Sequence, residues 1–293
     1  MADKGNIVSE LLEGIEKGDP RFKNLRRSFS DQSSPKYTAI PFDQLGDLSQ
    51  LRVLSIKDHD IRRIGSQIGQ MTNLGMLDLS DNPLEELPQE IGNLKILEIL
   101  SLSYTARIDL EWEMDHLKAS GNYPKYIDEG GLKNLPDSFA NLQNLNSLRL
   151  DNCRFKEIPD VIFELRNLQS LDLWCNELEA VNPKIGQLTK LEYLKLSKNN
   201  FNQLPETIGQ LKQLKRLRLD NLSLETLPES IGELQNLMML EICYGEIEHI
   251  PSSISKLKNL QSIYLIETQM DDIDFNALKV LLPHVAIHTK PIF

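Results

Sequence analysis

The sequence predicts an α/β solenoid, a curved stack of short strand-and-turn units with one parallel sheet along its concave side. Three observations carry this. Leucine recurs at Leu51, Leu74, Leu97, Leu145, Leu168, Leu191, Leu214, Leu237 and Leu260, at intervals of 23 residues except for one of 48. Each period opens on a pattern LxxLxL, with isoleucine at some positions, whose alternation is that of a strand with one buried face. Most periods continue into a second half that reads LPxxIGxLxxL, complete in residues 204–214. A fixed period of this length marks a repeat array, in which each unit buries its apolar face only against its neighbours.

In a globular chain, 293 residues would suggest two domains. In an array the whole stack is one domain, and the chain divides into an N-terminal helical cap and linker (1–39), a solenoid (40–288) and a short tail (289–293). In the cap, Ile7, Leu11, Leu12 and Ile15 stand at helical spacing until Gly18-Asp19-Pro20 stops the pattern. Such a segment covers the first core layer. Arg21, Lys23, Arg26 and Arg27 follow, with Phe22, Leu25 and Phe29 interleaved. They read as an electrostatic patch, or as a second cap segment leading into a polar linker through Ser33-Ser34-Pro35; the acidic balance of the chain favours the second. Ile40-Pro41 and Leu45-Gly46-Asp47-Leu48 then match the second half of a repeat with one extra residue, and nine full repeats follow. Nine exceed the three or so that a continuous core requires.

The copy at Leu191–Gln213, LEYLKLSKNNFNQLPETIGQLKQ, shows the logic of the unit. Leu194 and Leu196 point inward, and Tyr193, Lys195 and Ser197 outward. Parallel strands stack at about 4.8 Å per step, so nine span nearly 40 Å. Asn199 ends the strand and bonds backbone groups of the turn that would otherwise be buried and unpaired. Proline at Pro205 disfavours helix in its predecessor, giving an extended return path. Ile208, Leu211 and Leu214 close the core from outside in a turn or two of helix.

This pattern resembles that of the leucine-rich-repeat proteins, over about residues 40–288. The LPxxIGxLxxL half is similar to the subclass found in Ras-binding and Ras-suppressor leucine-rich-repeat proteins, their plant relatives and many bacterial proteins. The ending LKVLLPHVAIH resembles the closing half-repeat of such chains, with a last strand at Val285–Ile287. The resemblance implies a curved solenoid that binds other proteins through its concave face, without catalysis.

Departures from the repeat locate what is particular to this chain. The asparagine position holds Asn82, Asn176 and Asn199, but Thr105, Thr268, Cys153, His59, Leu222 and Gly245 elsewhere. Leu222 and Gly245 break the series in adjacent repeats, either as tolerated drift, with Asn221 shifting register to serve, or as a softer segment that adjusts to a ligand. Proline is absent at Ile64-Gly65, Val181-Asn182 and Ile273-Asp274. The long interval leaves an insertion of 25 residues, from about Arg107 to Gly131. Leu110, Met114 and Leu117 there have helical spacing, and Trp112, Tyr123 and Tyr126 offer large contact area at low entropic cost. The insertion is thus a binding element or a loop packed on the solenoid rim.

The outward strand positions are varied where the scaffold is monotonous. They run from Val53, Ser55, Lys57, Met76, Asp78, Ser80, Ile99, Ser101 and Ser103 to Met239, Glu241, Cys243, Tyr264 and Ile266. The middle is the strongest candidate, because Trp174 and Tyr193 lie beside Arg149, Lys195, Lys198, Arg216 and Arg218, with Asp151, Asp172 and Asp220 among them. Aromatics with arginines are common in interface hot spots. In an acidic protein this is a local basic island suited to an acidic segment of a partner, unless arginine and aspartate pair along the sheet.

The expected protein-binding set is therefore Arg149, Asp172, Trp174, Tyr193, Lys195, Lys198, Arg216, Arg218, Met239, Glu241 and Tyr264, with Trp112, Tyr123 and Tyr126 from the insertion. No cofactor, metal or catalytic group is expected. His284 and His288 are four residues apart but flank a strand, about 13 Å, too far for one metal. Cys153 and Cys175 read as buried thiols, Asp271, Asp272 and Asp274 as an acidic turn, and no phosphate loop is present. A net charge of −11 argues against general affinity for nucleic acid or anionic membrane. No apolar run is long enough to span a bilayer, and the N-terminus lacks the apolar core of a signal peptide. Three cysteines fit a reducing cytoplasm. The reading is a monomeric, cytoplasmic scaffold or signalling module. The alternative is a bacterial effector-type protein that selects a host protein, although no catalytic domain of the ubiquitin-ligase kind follows the repeats.

Overall fold

The computed structural model describes residues 26–28, 37–42, 45–104 and 131–290, the first three by backbone only. The expected helix over 5–17, the linker at 33–35, Thr105 and the insertion up to residue 130 lie outside them, as do the last three residues of the tail. Among the described residues the strands are β1 (Arg26–Ser28), β2 (Val53–Ser55), β3 (Met76–Asp78), β4 (Ile99–Ser101), β5 (Ser147–Arg149), β6 (Ser170–Asp172), β7 (Tyr193–Lys195), β8 (Arg216–Arg218), β9 (Met239–Glu241), β10 (Ser262–Tyr264) and β11 (Ala286–His288). They form one sheet in strict sequence order, every pair parallel. This is the leucine-rich-repeat solenoid the period predicts. Register is kept even across the 48-residue interval, where Ile99 pairs with Ser147 and Leu100 with Leu148. The insertion therefore leaves and re-enters without disturbing the sheet.

The middle residue of each repeat strand, Leu54, Leu77, Leu100, Leu148, Leu171, Leu194, Leu217, Leu240 and Ile263, is fully buried and stacks into a continuous spine. Burying one such side chain is worth about 1.5–3 kcal/mol, so this column alone outweighs any surface interaction. Two strands fall outside the nine repeats. β11 lies one residue later than the sequence suggests. β1 comes from the basic run, and its register sets Arg27 opposite Leu54. The leucine or isoleucine at the middle of every other strand is missing there.

Each strand is short because the chain turns sharply after it. Asp58, Asp81, Asn152, Cys175, Lys198, Asn221, Tyr244 and Glu267 occupy this corner with φ between 53° and 60°. Left-handed backbone costs a non-glycine residue about 1–2 kcal/mol. The corner is held by hydrogen bonds to the next repeat, as from Lys198 N–H to Asp220 O (2.8 Å) and from Tyr244 N–H to Ile266 O (2.7 Å). The following residue is the asparagine. Asn199 accepts from Leu178 N–H (3.1 Å) and donates to the carbonyls of Leu173 (3.0 Å) and Leu196 (2.8 Å), spanning two repeats. Asn176 accepts from Cys153 and Phe155 N–H, and Asn82 from Ile61 N–H. The Cys153 thiol donates to Leu102 O at 3.4 Å. At the break, β8 keeps register with both neighbours and Asn221 sits at the corner, so it does not replace Leu222. Leu222 is buried instead, and Asp220 Oδ1 accepts from Cys243 N–H (3.0 Å). Gly245 admits a close approach, since a Cβ there would stand 3.0 Å from Leu222 O.

The outer wall consists of five-residue 3-10 turns such as Gln89–Asn93, Glu206–Gln210 and Glu229–Glu233. These are tighter than the expected turn or two of helix. Proline precedes most of them at the N-cap, where its fixed φ suits entry. In the fifth repeat Asn182 takes that place, its side chain accepting from Lys184 N–H (2.9 Å). The glycine of IG lets adjacent turns touch: a Cβ on Gly232 would lie 2.3 Å from Ser253 O. Phe163 fills the equivalent position in the fourth repeat, is fully buried, and the turn Asp160–Glu164 stands further from its neighbours than others do. A second series of asparagines, unremarked in the sequence, ties the outer wall together. Asn73, Asn144, Asn167, Asn236 and Asn259 each donate to a carbonyl of the preceding repeat at 2.6–2.8 Å.

The ninth repeat replaces its 3-10 turn with a helix, α1 (Asp272–Leu281), which accounts for its missing proline. The acidic cluster is the start of this helix. Asp271 caps it by accepting from Ile273 and Asp274 N–H (both 2.8 Å), while Asp272 and Asp274 lie in the first turn, where the helix dipole favours negative charge. No helix among the described residues is long and apolar enough to cross a membrane.

Candidate functional site: the concave sheet

The first and third residues of each strand face away from the spine, and the parallel register lines them up in columns. The third-position column reads Ser55, Asp78, Ser101, Arg149, Asp172, Lys195, Arg218, Glu241, Tyr264 and His288. Two residues further on, Lys57, Ser80, Ser103, Asp151, Trp174, Ser197, Asp220, Cys243 and Ile266 stand at matching positions. The columns divide the face in two.

Toward the N-terminal end, Val53, Ser55, Asp78, Ser80, Ser101, Ser103 and Asp151 are buried, although their register directs them outward. The polar ones satisfy one another. Asp78 accepts from the Ser80 hydroxyl, which lies 2.7 Å from that of Ser101, and Ser103 donates to Asp151. Lys57 Nζ (3.5 Å from Asp78) and Arg149 Nε (3.4 Å from Asp151) close this rail at its ends.

From β5 onward the side chains are large. Trp174 is half-buried, its backbone N–H bonded to Asp172 Oδ1 (3.0 Å). Lys195 Nζ and Lys198 Nζ each lie 4.9 Å from its ring centroid, within cation–π range. Lys195 also approaches Asp172 (3.8 Å). On β8, Arg218 Nε is 2.9 Å from Glu241 and 3.7 Å from Asp220, and the guanidinium lies near the Tyr193 hydroxyl. Arg216 is exposed, and Tyr193 and Met239 are half-buried. Tyr264 stacks on His288 (centroids 4.3 Å apart).

The basic island is thus internally paired, as register allowed. Its layers are unequal, however. The carboxylates of Asp151, Asp172, Asp220 and Glu241 are only 3–18% exposed, whereas Arg149 is 54% and Arg218 34% exposed. The acids form a floor and the guanidinium groups lie above it. Asp172, expected to face a partner, belongs to the floor. Burial raises the carboxyl groups of both Asp172 and Glu241 above the usual carboxylate range, against the lowering pull of Lys195 and Arg218 respectively. Burial and nearby Asp172 likewise raise the Tyr193 hydroxyl.

The structure therefore brings together Arg149, Trp174, Tyr193, Lys195, Lys198, Arg216 and Arg218, with Met239, Glu241 and Tyr264 continuing along the sheet. Trp112, Tyr123 and Tyr126 lie outside the described residues. Tyr244, not singled out by its sequence position, is 41% exposed at the corner two repeats beyond Lys198. The same repeat position carries Tyr104, Cys175 and Glu267 besides aspartate, asparagine and lysine, so sequence position alone gave no signal. The thiols offer little chemistry: all three cysteines are free and buried, and burial pushes Cys243 up to about 12 and Cys153 well above the usual thiol range. Among the described residues no cluster of histidine, cysteine and carboxylate could hold a metal.

Comparison with known proteins agrees with this architecture. A family model described as a leucine-rich repeat region matches residues 22–119 and 171–282. The chain is similar to a plant peptide hormone receptor, RGFR1, solved in complex with RGF2, at 28% identity and a TM-score of 0.60, covering 83% of this chain and 35% of the receptor. It shares the fold of internalin C2 from Listeria monocytogenes (24% identity, TM-score 0.57, 74% of this chain and 82% of that one). A leucine-rich-repeat protein of Leptospira interrogans is 29% identical over 87% of this chain and 76% of its own, with a TM-score of 0.42. A search of curated protein sequences finds no match.

Proposed function

Starting from a chain that belongs to the leucine-rich-repeat family, we propose that it is a non-catalytic protein-binding module whose site is the concave patch centred on Trp174. The observation that carries this is the layering of the patch. An indole lies half-open on a sheet face beside two ammonium groups, while the less exposed carboxylates of Asp151 and Glu241 lie beneath the guanidinium groups of Arg149 and Arg218. Aromatic and arginine side chains fixed in this way are the usual anchors of an interface, because little conformational entropy remains to be lost on binding. The guanidinium groups of Arg149 and Arg218 lie above the acids, which favours an acidic segment of a partner despite the internal pairing. The complex of the similar plant receptor with RGF2 supports binding by this fold. Free buried thiols support the expected cytoplasmic location, and the reading is of a monomer.

The test is capture of the partner from native lysate. Trp174→Ala combined with Arg216→Glu should abolish capture of the main bound protein with an unchanged circular dichroism spectrum. Undiminished capture would sink the concave-patch site. Deleting 109–129 tests separately whether Trp112, Tyr123 and Tyr126 contribute.

A further inference from the structure

Taking the proposed binding site as its premise, we infer that the patch receives an extended acidic segment lying across the strands, with two carboxylates four residues apart and an apolar residue midway. The register fixes the spacing. Arg149 is on β5 and Arg218 on β8, in the same column and three strands apart. At about 4.8 Å per strand the two lie roughly 14 Å apart, and an extended chain rising about 3.3 Å per residue covers this in four residues. Trp174 follows β6, between the two arginines, with Lys195 and Lys198 beside it. Its ring lies one strand from Arg149 and two from Arg218, in the column two residues further on, and so flanks the stretch between the two ends.

The way the arginines are held sets what each end reads. Both turn Nε toward the floor, Arg149 to Asp151 at 3.4 Å and Arg218 to Glu241 at 2.9 Å. These are ion pairs by proximity, and Arg218 Nε is buried without a hydrogen-bond acceptor; with five N–H donors on a guanidinium, it is the terminal amino groups that would meet a carboxylate. The Arg218 guanidinium also lies near the Tyr193 hydroxyl. The shape of the face argues against a helical ligand. Its strands are three residues long, roughly 10 Å, while a helix with side chains is about 10–12 Å thick and advances only about 6 Å over four residues. A narrow strip with cations at each end and an aromatic between them matches an extended chain better than a rod.

The experiment uses synthetic peptides in a serine-glycine background. Each carries two glutamates and one leucine midway, with the glutamates two, four, six or eight residues apart. Binding is read from Trp174 fluorescence in a Trp112→Phe background, which leaves one of the two tryptophans. The spacing of four should bind at least about tenfold more tightly than spacings of two or eight. Arg149→Gln and Arg218→Gln should each erase that advantage, with fold checked by circular dichroism. Because Arg149 is the more exposed of the two, its variant remains informative if the other is destabilised. Equal affinity at all spacings would overturn the register, and so would absence of binding by every peptide. In either case, if Trp174→Ala with Arg216→Glu still abolishes native capture, the site stands and only the form of its ligand is wrong. If capture also persists, both readings fall.

Discussion

The two halves of the concave sheet are made from the same positions of the same repeat, yet they behave as different materials. In the N-terminal half, serines and aspartates turn their polar atoms on one another and are buried. In the central half, Asp151 and Asp172 are buried and Asp220 and Glu241 half-buried, while Arg149 and Arg218 above them are more exposed. The difference lies in side-chain length. Ser80, Ser101 and Ser103 reach no further than the next strand, so their bonds close within the sheet. Arg218 spans that distance to Glu241, while Arg149 turns its Nε to Asp151 in its own repeat and remains 54% exposed. A repeat scaffold therefore need not be altered to make a binding face; it needs side chains longer than the strand spacing.

Four substitutions would break or sharpen this contrast. The largest effect is expected at Asp151, which is 2% exposed. Asp151→Ala strips Ser103 and Arg149 of their acceptor and should cost about 2–3 kcal/mol in urea unfolding; a loss below about 0.5 kcal/mol would mean the rail is not structural. Next, Arg218→Ala leaves Glu241 and Asp220 with less compensation on a half-buried floor. It should cost about 1–2 kcal/mol, while Arg216→Ala on the same strand stays within about 0.5 kcal/mol. Equal losses would show that the layering has no energetic content. The smallest effect concerns pH. Burial raises Asp172 and Glu241, so the folded protein holds these protons more tightly than the unfolded chain. That stabilisation is complete below the ordinary carboxylate range and is lost as pH rises through the raised folded values. Asp172→Asn lacks its share of the loss. Its stability relative to the parent should therefore improve between acid and neutral pH, and a decline in thermal unfolding measurements would contradict the assignment.

Most of the architecture could be read from residue spacing, because the physics of a solenoid is local and periodic. The interval of 48 predicted the Ile99–Ser147 register, and Asn82, Asn176 and Asn199 bridge the turns as their position suggests. What escaped was carried by residues without a periodic apolar signature. β1 sets Arg27 where the pattern needs leucine. The outer asparagines look like ordinary surface residues until the register puts each beside a carbonyl one repeat back. The site was half legible. Register gave the neighbours of Trp174, but no pattern distinguishes a floor carboxylate such as Asp172 from a surface cation such as Arg149. That depends on how far each side chain reaches from the same backbone.

Phe163 gives the stack a mechanical property. On the inner side the strand pairing around it is uninterrupted, while on the outer side its ring stands where glycine lets other turns touch. Lengthening one face of a bonded ladder bends it, as a bimetallic strip bends. With the strand pairing unchanged, the wider outer spacing is expected to tighten the curve at the fourth and fifth repeats, on the side opposite Arg149, Trp174 and Lys195. Phe163→Gly should relax that bend, a change in shape that small-angle scattering would read.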